Sequence, residues 1–145
     1  MHIGAQSSLA EILLRWSALK VTRAVNNELI EHGHVYIAPP QQHMTMEDGR
    51  IALSSGPREN RHRPAIDPLF RSAAREHRSR TVGVILTRAL DDGAAGLFNV
   101  KELGGIAVVQ DPEEAAMPSM PLNAMHATEV DYVLPSKKSA CCWSR

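Results

Sequence analysis

Val82-Gly83-Val84-Ile85-Leu86 is a continuous apolar run, and its flanks decide the fold. An apolar run without polar alternation reads as a strand buried on both faces, as in a parallel sheet. Asp91-Asp92-Gly93 follows, and Ala94 to Leu103 then reads as a helix stopped by Gly104-Gly105. Ile106 to Val109 is another buried strand, Pro121 to His126 a short helix, and Asp131 to Leu134 a last strand. Strand, helix, strand, helix, strand predicts βαβ units with right-handed crossovers, and so an α/β fold. In such sheets ligands sit beyond the carboxyl ends of the strands. The loops after Leu86 and after Val109 therefore mark the candidate functional face.

Before this unit, Asp67 is placed to cap a helix from Pro68 to His77, with proline at its first position. Residues 54–64 are rich in Gly, Pro, Asn and Arg and read as one long loop, a length that in compact domains is functional or disordered. Met44 to Met46 and Ile51 to Leu53 flank Glu47-Asp48-Gly49-Arg50, and the Asp-Gly pair predicts a β-hairpin inserted ahead of the loop. Val35 to Ala38 is a compact strand ended by Pro39-Pro40, and Val21 to Val25 a short one. Leu9, Ile12, Leu13, Trp16 and Leu19 make one helix face, with Ser7 and Ser8 as N-cap candidates. The tail from Ser136 to Arg145 has no periodicity and is expected to be unstructured, leaving residues 1–135 as one domain.

The chain has 145 residues, with 16 basic residues balancing 16 acidic ones. A neutral chain has no global field to pull it onto nucleic acid or an anionic membrane. Aromatic residues are only 4%, and none interleave with the arginines to stack bases. No apolar run approaches the roughly 18 residues of a membrane helix, and the N-terminus lacks a secretory pattern. A cytoplasmic protein without membrane insertion is the expectation. Cys141 and Cys142 are adjacent, so they staple nothing distant and form no CxxC site. Trp143-Ser144-Arg145 lacks the aliphatic pair of a prenylation signal.

Several residues could carry chemistry. An aspartate in the segment from Leu86 to Gly96 stands at a strand's carboxyl end, where a carboxylate can orient a histidine. Equally, Asp91 or Asp92 can cap the next helix. No phosphate or dinucleotide fingerprint is present, so no cofactor is expected. His32 and His34 alternate, but no third ligand has suitable spacing, so no metal is expected. The loop Gly56-Pro57-Arg58-Glu59-Asn60-Arg61-His62-Arg63-Pro64 is the densest basic feature. It can receive an acidic partner or a substrate carboxylate through bidentate arginine contacts, or it can be a solvated loop whose arginines pair with Glu59 and Asp67.

His34-Val-Tyr-Ile-Ala-Pro-Pro40, Arg61-His-Arg-Pro-Ala-Ile-Asp67, Val82-Gly-Val-Ile-Leu-Thr87, Asp92-Gly-Ala-Ala-Gly96 and Ala107-Val-Val-Gln-Asp111 occur in this order. Together they resemble the CheB-type protein-glutamate methylesterase domain, from about His2 to Leu134. The resemblance implies a carboxylic ester hydrolase that removes glutamate methyl esters from a methyl-accepting chemotaxis receptor or a related sensory protein. It also implies a three-layer parallel-sheet fold. Family chemistry uses a Ser-His-Asp triad. The aspartate maps to Asp92 and the histidine to His2, while Ala89 stands where a backbone N–H helps hold the oxyanion. Arg61 and Arg63 are the substrate-binding candidates, and Arg88 stands where the family usually has glycine.

The family's serine lies earlier, in a Gly-rich turn with no counterpart after Met1, and Ser7 and Ser8 read as helix caps. The expectation is therefore a partial domain lacking its first strands, inactive as this polypeptide alone, without the receiver domain that serves many relatives as a phosphorylation switch. A non-catalytic partner-binding module and a misassigned gene start are the alternatives.

Overall fold

The computed structural model describes residues 15, 17–86 and 92–135. The expected Leu9–Leu19 helix, apart from its end, and the tail from Ser136 lie outside the described residues. Leu19 itself stands in a bend and is exposed.

Strands β1 (Lys20–Arg23) and β2 (His34–Ile37) pair in parallel, with Val21 opposite Val35. Val25, expected at the end of β1, lies beyond it and is exposed. Strands β3 (His43–Glu47) and β4 (Arg50–Ser54) form the expected antiparallel hairpin. Its turn, Asp48-Gly49, has φ of 51° and 71°. Two left-handed central residues are what a two-residue hairpin needs, because that twist matches the strands.

Helix α1 (Ile66–His77) carries the two cores between which it lies. Leu69 packs on the hairpin core of Ala24, Met44 and Ile51. Ile66 and Phe70 pack on the sheet core of Ile85, Leu97, Ala107, Val109, Met120 and Ala124. The sheet has the order β5–β6–β7, all parallel, from β5 (Val82–Ile85), β6 (Ile106–Gln110) and β7 (Tyr132–Leu134). Helices α2 (Ala94–Glu102) and α3 (Ser119–Ala127) connect the three strands. The α/β reading and the inserted hairpin therefore hold.

Two local expectations do not. Asp67 does not cap α1: the helix begins at Ile66, Ala65 occupies the cap position without a side-chain bond, and Pro68 is the third helical residue. Proline is still tolerated there, because a first-turn N–H has no intrahelical partner. Nor is β5 buried on both faces. Gly83 and Ile85 are buried, whereas Val82 and Leu86 are 40% and 52% exposed. Apolar content marked the strand but could not count the layers over it.

At the far edge of the sheet, Lys101 Nζ lies 2.7 Å from Asp131 Oδ1, and the Ala107 N–H donates to Asp131 Oδ2 at 2.7 Å. The Lys101 hydrogen bond, followed by the Ala107 N–H, holds the Asp131 carboxyl below its ordinary value. A depressed carboxylate contributes stability that is full above the unfolded pKa of about 4 and is lost as pH falls through the lower folded value. Asp131→Asn should therefore remove part of the acid sensitivity and lower stability at neutral pH. Unfolding midpoints of both proteins across the acid range check this; parallel curves with a constant offset would refute it.

Candidate active site

Asp92 is 1% exposed and stands where the chain enters α2, beyond the carboxyl end of β5. Its carboxylate does not cap α2, whose cap position is Gly93 with φ of 98°. It caps α1 instead. The Ile66 N–H reaches Asp92 Oδ1 and Oδ2 at 3.0 and 2.8 Å, and the Asp67 N–H reaches Oδ1 at 3.4 Å. An anion suits that place, because first-turn N–H groups lack intrahelical partners and the helix dipole is positive there.

Asp67, 4% exposed, returns the exchange. Its Oδ1 accepts the Gly96 N–H of α2 at 2.5 Å, and its Oδ2 accepts Asn60 Nδ2 at 2.6 Å. Asn60 Nδ2 also lies 3.3 Å from Asp92 Oδ1. One amide thus bridges two buried carboxylates, and each carboxylate caps the helix begun by the other's segment. The result is an aspartate with its orientation fixed from several sides, as an acid that orients a histidine requires.

The loop that carries Asn60 is itself pinned. The Ala65 N–H donates to His43 Nδ1 at 3.2 Å, which leaves the ring proton on Nε2 to donate to the Pro57 carbonyl at 2.8 Å. Arg63 Nη1 donates to the carbonyls of Ser55 and Gly56 at 2.8 and 2.9 Å. Arg71 Nη2 reaches both oxygens of Glu59, at 2.9 and 2.7 Å. Glu59 and His62 exchange backbone hydrogen bonds around Asn60 and Arg61. The pairings of the solvated-loop alternative do not form: Glu59 pairs with Arg71 of α1 rather than with a loop arginine, and Asp67 with no arginine among the described residues.

The model of the CheB methylesterase family matches residues 1–141. The chain belongs to that family. A Leptospira interrogans protein, provisionally named protein-glutamate methylesterase/protein-glutamine glutaminase, is 46% identical over 142 residues, covering 96% of this chain and 74% of its own length. A Pyrococcus abyssi protein-glutamate methylesterase/protein-glutamine glutaminase is 37% identical over 142 residues, with 95% of this chain and 39% of its own length covered. The crystal structure of the Thermotoga maritima CheB methylesterase catalytic domain superposes with a TM-score of 0.88 at 36% identity, covering 96% of this chain and 76% of that one.

Within this CheB methylesterase fold, His2, Arg88, Ala89 and Asp91 lie outside the described residues. Asp92, Arg61 and Arg63 are described, and Asn60 ties Asp92 to the loop of the two arginines. A groove of about 710 Å³ between the hairpin and α1 is lined by His43, Glu59 and Arg71 among others, but by neither Asp92 nor Asn60. No cluster of three or more His, Cys, Asp or Glu able to hold a metal occurs among the described residues. Sequence reasoning missed Asn60 and the clamp role of Asp67. A signal for Asn60 existed: asparagine is among the few residues that accept a left-handed backbone, and it sits mid-loop between residues that pair.

Proposed function

We propose that this chain is the catalytic part of a protein-glutamate methylesterase acting on a methyl-accepting chemotaxis receptor or a related sensory protein. The carrying observation is Asp92, buried and fixed by Ile66, Asp67 and Asn60, at the position to which the motif resemblance assigns the family's aspartate. In the reaction a serine oxygen attacks the ester carbonyl while His2 takes its proton and then gives it to the leaving methanol. Asp92 holds the imidazole in the tautomer that can accept, and stabilises the cation that forms. The Ala89 backbone N–H donates to the oxyanion, a role that a side-chain change leaves intact. Water then cleaves the acyl-serine and releases a glutamate. Arg61 and Arg63 are the groups proposed to meet substrate carboxylates.

A cytoplasmic site of action goes with this reading. It is supported by the family. The test is methanol release from a methyl-esterified receptor fragment. Because the family's serine turn precedes the segment matched by His2, the assay uses a polypeptide that includes such a turn. Serine-reagent-sensitive release is the expected result. No release from the longer polypeptide, with its fold intact, would overturn the reading.

A further inference from the structure

The turn at Asn60-Arg61 is built against the preference of its second residue. Asn60 has φ of 49° and Arg61 of 67°, and Glu59 and His62 close the turn with two backbone bonds of 3.1 and 2.8 Å. This is the same left-handed two-residue turn as Asp48-Gly49, with φ of 51° and 71°. There the second position is glycine, the residue such turns favour, and a Cβ added to it would meet nothing within 4 Å. Arginine in that position carries a Cβ into a region that L-residues disfavour. Strain held at a defined place points to a role for the side chain.

Three neighbours of Arg61 are engaged, whereas the buried Nε2 of His62 has no hydrogen-bond partner among the described residues. Glu59 pairs with Arg71, Asn60 bridges Asp67 and Asp92, and Arg63 holds two loop carbonyls. Arg61 is exposed and pairs with no acid among the described residues. It follows directly on Asn60, whose amide lies 3.3 Å from Asp92 Oδ1. A guanidinium fork there matches a carboxylate in bidentate geometry.

We propose that Arg61 is kept in this left-handed position as the docking group for acidic segments of the substrate protein, gripping a free glutamate beside the ester to be cut. This rests on the methylesterase reading. Every turnover converts an ester into a carboxylate, so a substrate with several modifiable glutamates becomes a better ligand for Arg61 as its neighbouring sites are hydrolysed.

Binding to the full chain is tested with a synthetic helical peptide bearing two glutamates one turn apart, and with its glutamine counterpart. Arg61→Gly should weaken the glutamate peptide by roughly three- to tenfold at low salt, the scale of a well-formed exposed pair, and leave the glutamine peptide unchanged. The same substitution should raise the unfolding midpoint by roughly a few degrees, because it relieves the backbone. Arg78→Gly is the control. Arg78 is exposed, has φ of 47°, and closes the other end of α1. It should raise the midpoint without touching binding. Unchanged binding in Arg61→Gly, equal weakening by Arg78→Gly, or a lowered midpoint in Arg61→Gly would each overturn the proposal. Neither peptide carries an ester, so their binding is read independently of catalysis; no methanol release from the methyl-esterified receptor fragment by the longer polypeptide, with this binding intact, would sink the methylesterase reading alone.

Discussion

Asp92→Asn is expected to lower ester turnover by roughly 10⁴-fold, the scale seen when a triad histidine is left in the wrong tautomer. Asp91→Asn, one residue away, should do far less, because the proposed orienting role belongs to Asp92. The structure adds a second consequence. Both Asp92 oxygens accept the Ile66 N–H, and an asparagine turns one of them into a donor facing that donor. A buried mispaired group costs about 1–3 kcal/mol, so the unfolding midpoint should drop as well. Turnover measured well below that midpoint separates the two effects. The fold loss would then leave the rate deficit in place, since a folded enzyme with a misoriented histidine stays slow. Comparable losses at Asp91 and Asp92 would refute the assignment.

The difference between what was legible and what was not follows the range of the interactions. Asp48-Gly49 announced its hairpin because the turn's demand for left-handed residues is met by the two residues themselves. The strands and helices from Val82 to Leu134 were legible for a similar reason: apolar runs broken by Asp91-Asp92-Gly93 and by Gly104-Gly105 specify βαβ units locally. Asp67 was misread because a helix cap is normally supplied by the residue just ahead of the helix. Here the cap comes from Asp92, 26 residues away from Ile66, and nothing near Ile66 reports it. The same long-range exchange hid Asn60, whose amide matters only once α1 and the start of α2 have been brought together. The alternatives left open for Asp92, orienting group or cap, are also not exclusive. It caps a helix, though α1 rather than α2, and the fixed orientation that capping gives it is what an orienting role needs.

Gly96→Ala should be strongly damaging, because the added methyl has no room. At Gly96 the two helices that exchange carboxylates come into contact. A Cβ there would stand 2.7 Å from Phe70 Cβ, 2.9 Å from Asp67 Oδ1 and 3.1 Å from Asp67 Cα. Two of these are atoms next to or within the α1 backbone, so no rotamer change relieves the clash and α1 must move. Movement lengthens the bond from the Gly96 N–H to Asp67. Overpacking costs about 1–3 kcal/mol, and a buried donor left without its partner adds about 1–3 kcal/mol. Better helix propensity returns at most about 1 kcal/mol. The net loss of roughly 1–6 kcal/mol is a large share of the roughly 5–15 kcal/mol that holds a domain together. Denaturant unfolding measures it directly. Asp67→Ala removes the acceptor and the nearest polar obstruction at once, so the double variant Asp67→Ala/Gly96→Ala should lose less than the sum of the two single losses. Since Asn60 joins Asp67 to Asp92, displacement of Asp67 should also slow the esterase, with turnover falling more than affinity for the acidic peptide. A Gly96→Ala protein as stable as its parent would show that α1 and α2 can slide past each other, and the rigid placement of Asp92 would lose its foundation.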